Sequence, residues 1–189
     1  MYGLVNQAIE GFVVSSFGEK TWESIKAKAG VEDPVFMSSE PYPDEVTFSL
    51  VAAGAAELNL TPDQVLEAFG EYWVLFTAQE GYGALLEACG SDLKTFMRNL
   101  PNLHSRMSLI FPQLRIPEFS CFVESNGNLR VEYRSSRTGL AAFVVGLFKG
   151  LSKRFKEPTF VHQTKWRGKD GAACDEFMVE FAEALSEAA

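Results

Sequence analysis

The sequence predicts an α+β fold, with a helical N-terminal part and a C-terminal antiparallel sheet packed on helices. Apolar residues recur at the spacing of amphipathic helices through roughly the first two-thirds of the chain. Beyond Pro112 and Pro117 the pattern changes to two pairs of short strand-like segments, each pair separated by a turn signal. The length of 189 residues suits one domain made of two subdomains, about 1–65 and about 66–183.

Three helix patterns occupy the first 58 residues. A helix is predicted over 2–16 from an apolar stripe made of Leu4, Val5, Ala8, Ile9, Phe12 and Val13. A short helix follows Thr21, with Trp22 and Ile25 facing inward. Glycine and prolines make residues 28–43 mostly loop, and residues 44–58 are again helical.

A helix start is encoded at residues 61–64, where Thr61 is a capping residue, Pro62 suits the first turn and Gln64 completes a capping box. This helix is predicted to run to about Thr77, with an inward face made of Val65, Leu66, Phe69, Trp73 and Phe76. Two helices near 82–89 and 91–99 follow, and Pro101 is expected to open a further short helix over about 101–110.

The C-terminal part carries the strand signals. Strands at 119–124 and 129–135 flank Ser-Asn-Gly-Asn, which is typical of a hairpin turn. A helix is predicted from about Gly139 to Phe155, and strands at 159–166 and 176–181 surround a second turn.

Composition excludes several classes of protein. A formal net charge of −8 argues against nucleic-acid binding, which requires clustered positive charge. The cysteines Cys89, Cys121 and Cys174 are widely spaced and odd in number, which favours free thiols in a reducing compartment. Residues 1–5 lack the features of a signal peptide, and no apolar run approaches the ~20 residues of a membrane span. We therefore expect a cytoplasmic protein.

His104 lies on an apolar helical stripe with Leu100, Leu103, Met107 and Phe111, so its ring is expected to be buried and to need polar partners. Two interpretations are open. The ring is either a core histidine bonded to a main-chain carbonyl or an axial ligand of heme iron.

Tyr133, Ser135 and Arg137 alternate near the end of a predicted strand, so they would share one face over about 13 Å. Two hydroxyl groups and a guanidinium suit an anionic ligand with separated carboxylates. The alternative is a row of polar side chains on the solvent face of a sheet.

A helical histidine followed by Tyr-x-Ser-x-Arg, with Pro117 between them, resembles the heme–nitric oxide/oxygen binding (H-NOX) domains. The likeness is greatest to their stand-alone bacterial, cyanobacterial-type members, which are related to soluble guanylate cyclase. It extends to residues 1–6, 69–73 and 102–104 and to Phe-Pro-Gln-Leu-Arg at 111–115.

The resemblance implies a heme b cofactor buried between the two parts of the chain. It implies that His104 is the iron ligand, that Tyr133, Ser135 and Arg137 hold the propionates, and that Pro117 packs against the porphyrin. The positions that match pocket-lining residues of the family are Val5, Trp73, Ala142 and Phe143.

The resemblance implies that oxygen-binding members of the family carry a tyrosine at the position that matches Ala142. This sequence departs from that pattern, because alanine has no hydroxyl group. Bound oxygen carries partial negative charge and is stabilised by a hydroxyl donor, whereas nitric oxide and carbon monoxide need none. The resemblance therefore implies a nitric oxide sensor that discriminates against oxygen. Trp73 leaves two readings open, since its indole either donates to the bound gas or packs against the heme.

The resemblance further implies a non-catalytic sensor that signals to a separate partner, either a histidine kinase or a cyclic-di-nucleotide enzyme. Two alternatives are a peroxidase-like heme enzyme and a heme carrier. A peroxidase needs a distal acid–base pair, which no matching position supplies, and a carrier would not need three propionate contacts.

Overall fold

The computed structural model describes residues 1–31 and 35–182. Seven α-helices, a short π-helical segment and four β-strands lie within these ranges, and the strands form one antiparallel sheet. The predicted α+β class is confirmed. The chain divides into two compact units, Met1–Phe69 and Gly70–Ala189. Of the described helices, none combines the length and apolar character that crossing a membrane requires.

The first unit is built from helices α1 (Gly3–Phe17), α2 (Glu19–Ala29) and α3 (Asp44–Leu58) and the first turns of α4 (Pro62–Tyr72). Gly18 makes the reversal between α1 and α2 with a φ of 88°, a conformation that side chains disfavour. Trp22 and Ile25 are buried as predicted.

The capping box at the start of α4 is confirmed in both directions. The Thr61 main-chain N–H donates to Gln64 Oε1 at 2.8 Å, and the Gln64 N–H donates to Thr61 Oγ1 at 3.2 Å. These bonds satisfy two donors that a helix start would otherwise leave without partners.

The second unit continues through a π-helical segment (Trp73–Thr77), α5 (Ala78–Glu87) and α6 (Leu93–Ile110). Strands β1 (Glu118–Val123) and β2 (Leu129–Arg134) form the predicted hairpin, α7 (Ala141–Phe155) follows, and β3 (Thr159–Lys165) pairs with β4 (Asp175–Phe181). The strand order is β1-β2-β4-β3. Four residues on the inner face of the sheet are fully buried: Leu129, Val131, Phe177 and Val179.

The chain is helical from 62 to 77 as predicted, but it is not α-helical throughout, and the predicted inward position of Phe76 is wrong. The α-helix ends at Tyr72 and the chain continues as π-helix, which places an extra residue in the turn and shifts the phase of the apolar stripe. Phe76 is consequently 53% exposed rather than inward.

The prediction that Pro101 opens a short helix is also wrong, because Pro101 lies inside α6. The helix begins instead after Asp92, whose carboxylate accepts a hydrogen bond from the Thr95 main-chain N–H at 2.8 Å. His104 therefore lies beyond the middle of an 18-residue helix rather than in a first turn.

Candidate heme-binding site

His104 lines an apolar cavity of about 130 Å³ in the second unit. The cavity is lined by side chains from the π-helical segment, α5, α6, β1 and α7, namely Trp73, Val74, Leu86, Phe96, Met97, Leu100, Leu103, Phe119, Val144, Leu147, Phe148 and Leu151. Of the described residues that line it, only His104 and Trp73 carry a polar side-chain atom capable of classical hydrogen bonding. The imidazole thus faces a cavity whose other lining side chains are apolar, apart from the Trp73 indole N–H.

Burial lowers the pKa of His104 to about 4, and a hydrogen bond to the main-chain carbonyl of Pro117 opposes this shift in part. The ring is therefore neutral near pH 7. A neutral imidazole carries an N–H on one ring nitrogen and a lone pair on the other. Metal-binding histidines are commonly oriented by a hydrogen bond to a main-chain carbonyl.

A row of aromatic rings leads from His104 to Tyr133. The Phe119 ring lies 5.9 Å from the His104 ring and 5.1 Å from the Tyr133 ring, measured between centroids. Burial raises the pKa of Tyr133, and a hydrogen bond with the Ser135 hydroxyl opposes the rise. Tyr133 is only 4% exposed, so it lies in the interior and not on the solvent face of the sheet.

The expected common strand face of Tyr133, Ser135 and Arg137 is not observed, because β2 ends at Arg134. Ser135 and Arg137 lie in the following loop, where the Arg137 main-chain N–H donates to Ser135 Oγ at 3.1 Å. This local bond competes with extension of the strand. The three residues are still brought together, now by hydrogen bonds rather than by strand geometry.

Arg137 also reaches the segment that precedes Pro117. Its Nη1 donates to the main-chain carbonyl of Arg115 at 3.0 Å. The segment 115–117 therefore receives hydrogen bonds from Arg137 at one end and from His104 at the other.

Arg167 also contacts the loop that carries Ser135 and Arg137, and no sequence pattern predicts this contact. Its guanidinium donates to the main-chain carbonyls of Ser135 and Arg137, the latter at 3.0 Å. Arg167 lies in the turn between β3 and β4, where an arginine has no periodic or motif signal that distinguishes it from a solvent-exposed residue.

The remaining predicted residues have different positions. Ala142 and Phe143 lie in the first turn of α7 and are partly buried, but they do not line the described cavity. Val5 is a partly buried residue of α1 in the first unit. Phe119 and Leu147 line the cavity and escaped prediction, because alternating apolar residues of a strand or helix are indistinguishable from ordinary core.

These residues fit a heme in their chemistry. A neutral imidazole is a standard iron ligand, apolar walls suit a porphyrin, and hydroxyl and guanidinium groups suit its carboxylates. The cavity of about 130 Å³ is smaller than a porphyrin, so its lining would form one wall of the site rather than all of it.

The fold is that of an α+β domain, and the residues around its cavity have the chemistry that a heme would require. A family model described as "Haem-NO-binding" matches residues 2–163 of the chain. The match covers most of the sequence. The chain belongs to the Haem-NO-binding family, the heme gas-binding domains related to soluble guanylate cyclase.

Sequence relatives include two soluble guanylate cyclases of Caenorhabditis elegans. Gcy-32 is 30% identical over 157 residues, which cover 82% of this chain and 23% of that protein. Gcy-35 is 28% identical over 176 residues, covering 90% of this chain and 25% of that protein. The chain thus spans about a quarter of the length of the cyclases it matches.

Solved structures share the fold at low sequence identity. An H-NOX protein from S. oneidensis in the Fe(II)NO ligation state superposes with a TM-score of 0.85 at 21% identity, covering 96% of this chain and 99% of that one. An oxygen-binding H-NOX domain, solved as its oxygen complex, gives 0.79 at 19% identity over 96% of this chain and 95% of that one.

Proposed function

We propose that this chain is a heme-based sensor of a diatomic gas, with heme b held by His104 and its propionates held by Tyr133, Ser135 and Arg137. The observation that carries the proposal is the His104 imidazole, which lines an apolar cavity and whose pKa burial lowers to about 4, so that the ring is neutral near pH 7. When bound, the heme iron would supply the position at which the gas binds.

We propose nitric oxide, and carbon monoxide with it, as the preferred ligand over oxygen. Ala142 offers no hydroxyl group, and of the described residues lining the cavity none carries a hydroxyl, amide or carboxyl side chain. Apart from the Trp73 indole N–H, oxygen would find no donor among these residues to stabilise its partial negative charge, whereas nitric oxide needs none. The fold itself does not decide the ligand, since an H-NOX protein from S. oneidensis is known in the Fe(II)NO state and another H-NOX domain as its oxygen complex.

The signal would leave through a protein partner, which we propose is a histidine kinase or a cyclic-di-nucleotide enzyme. The matched guanylate cyclases are about four times as long as the region they share with this chain. Within the chain, a displacement of His104 would act on the segment 115–117, because the imidazole interacts with the Pro117 carbonyl. The same segment is hydrogen-bonded to Arg137 through the Arg115 carbonyl, so a movement there would reach Arg137. Ligand binding would then bias a two-state element.

The test is the absorption spectrum of the heme-loaded ferrous protein under argon, in air and with nitric oxide. His104→Gly is compared with His162→Gly, which removes the chain's other histidine from β3. We expect the parent spectrum to change with nitric oxide but not with air. His104→Gly should hold heme only with added imidazole, whereas His162→Gly should behave like the parent.

Other outcomes would contradict specific parts of the proposal. A parent spectrum that changes reversibly in air refutes the discrimination against oxygen. Normal heme uptake by His104→Gly without imidazole refutes the assigned ligand. Rapid heme transfer from the parent to apomyoglobin would favour the carrier alternative.

A further inference from the structure

Two main-chain carbonyls of the loop after β2 converge on a single side chain. The Arg167 guanidinium donates through Nη1 to the Ser135 carbonyl and through Nη2 to the Arg137 carbonyl. Both acceptors belong to residues that would hold the heme carboxylates. We propose that Arg167 is a positioning residue that fixes this loop so that Ser135 and Arg137 meet the propionates; the inference rests on the proposed function.

The arrangement requires an arginine. A planar guanidinium presents several N–H groups in a fixed fork and can hold two acceptors at once, whereas a lysine ammonium on a flexible stem does not reproduce that geometry. Bonding the carbonyls of residues 135 and 137 to one group restricts the peptide planes between them. The bond from the Arg137 N–H to Ser135 Oγ then sets the Ser135 hydroxyl.

Arg167 is itself held in place. Its main-chain N–H donates to Asp175 Oδ1 at 3.0 Å, and the same oxygen accepts a hydrogen bond from Gln163 Nε2 at 2.8 Å. Asp175 is the register partner of Tyr133 across β4 and β2. The loop is thus connected to the sheet directly through β2 and indirectly through Arg167 and β4.

Arg167 lies outside the segment that the family model matches, which ends at residue 163. Arg167 also adds a second positive charge beside Arg137, so its effect through charge must be separated from its effect through geometry.

The test measures the rate of heme transfer to excess apomyoglobin from the full heme-loaded chain. Arg167→Ala should release heme about 10-fold faster than the parent, a change comparable to the loss of one charge-assisted hydrogen bond. Arg167→Lys, which keeps the charge, should release heme nearly as fast as Arg167→Ala. The ferrous absorption spectrum should stay that of the parent, because His104 is not touched.

Lys169→Ala provides the matched control. Lys169 is an exposed cation of the same turn, with its Nζ 5.0 Å from the centre of the Trp166 ring. Its removal should leave the release rate within about twofold of the parent, as expected for a surface charge.

A double variant separates positioning from general stability. If Arg167 acts through the loop, Arg167→Ala should accelerate release less in the Arg137→Ala background than in the parent, because only the Ser135 contact is then left to misplace. Amide hydrogen exchange of residues 135–140 should be faster in Arg167→Ala, with or without heme.

Several results would overturn the inference. A parent-like rate in Arg167→Ala, a parent-like rate in Arg167→Lys, or fully additive effects in the double variant would each do so. If Arg137→Ala releases heme faster while Arg167→Ala does not, only the role of Arg167 fails. If the parent takes up no heme, the proposed function fails and the role of Arg167 fails with it.

Discussion

The His104 imidazole, on α6, is hydrogen-bonded to the main-chain carbonyl of Pro117, immediately before β1. The acceptor is a main-chain atom, so this orientation of the ring does not depend on the side chain at position 117. The Pro117 ring is therefore free to serve another purpose, and the two contributions of this residue are separable by mutation.

Pro117→Ala should keep the hydrogen bond and remove the ring. If the Pro117 ring presses on the porphyrin, as the family resemblance implies, the variant should hold heme through His104 with a flatter macrocycle. Resonance Raman spectra should show an unchanged iron–histidine stretch and weaker out-of-plane heme modes. A crystal structure of the variant with the same heme distortion as the parent would refute this role.

Acid sensitivity should arise in part from Glu176 on β4. Burial alone would raise the pKa of this carboxyl group, but hydrogen bonds from Lys165 and Thr164 and the charges of Lys165 and Arg130 outweigh burial and lower it below the usual 4.5. As the pH falls, the Glu176 carboxyl group therefore takes up a proton in the unfolded chain before it does so in the folded chain. The stabilisation is present above about pH 4.5 and is lost as the pH falls through the lowered pKa.

Glu176→Gln should therefore lower the free energy of unfolding by about 1–2 kcal/mol at pH 7, since a hydrogen-bonded charge is lost while the shape is kept. Urea unfolding of parent and variant at several pH values checks this. The difference between them should shrink below pH 4.5. Glu180→Gln, at a partly exposed position on the same strand, should change the free energy of unfolding little. If the difference between the parent and Glu176→Gln were the same at all pH values, the assignment to the Glu176 charge would be contradicted.

The sequence predicts most of the elements because their signals are local. The capping box of Thr61 and Gln64 forms as expected, and the Ser-Asn-Gly-Asn turn joins β1 to β2. Pro101 misled the prediction because a proline usually marks a first turn, and tertiary packing carries α6 past it. The π-helical segment after Tyr72 has no sequence signal, and a regular α-helix would place Phe76 inward.

The sequence pattern offers candidate site residues, but it does not give the geometry around them. His104 lies on the predicted apolar stripe and lines the cavity, whereas the histidine's partner, the Pro117 carbonyl, is a main-chain atom that a sequence pattern cannot indicate. Arg167 contacts the loop of Ser135 and Arg137 across a sequence separation of about 30 residues. Such a contact depends on the β2–β4 register, which is a tertiary property.

Close backbone packing around Gly70 should be essential for the second unit. A methyl group on Gly70 would come within 2.3 Å of the Phe143 carbonyl oxygen and 2.9 Å of the Leu147 nitrogen, both main-chain atoms of α7. Gly70→Ala should therefore lower the free energy of unfolding by about 1–3 kcal/mol, because these atoms cannot move independently of the helix.

Gly54→Ala is the matched control, since Gly54 is also a buried glycine within a helix. Its added methyl group would meet Ile25 Cδ1 at 3.7 Å, an ordinary contact, and should raise stability by up to about 1 kcal/mol through helix propensity. Urea unfolding followed by circular dichroism measures both variants. Equal effects would show that the contact with α7 is not limiting.

Ala142→Tyr tests whether a single hydroxyl group decides the choice of gas. Ala142 lies in the first turn of α7, two residues before the cavity-lining Val144. A tyrosine here would supply the donor that the proposed nitric oxide sensor lacks, so the ferrous spectrum should change reversibly in air, as the parent's should not. Phe143→Tyr supplies the same hydroxyl about 100° further round the helix and should leave the response to air unchanged. If neither variant responds to air, the absence of a hydroxyl at position 142 is not what excludes oxygen. If both respond, the pocket admits a donor from more than one direction, and discrimination then depends on the polarity of the whole site rather than on one residue.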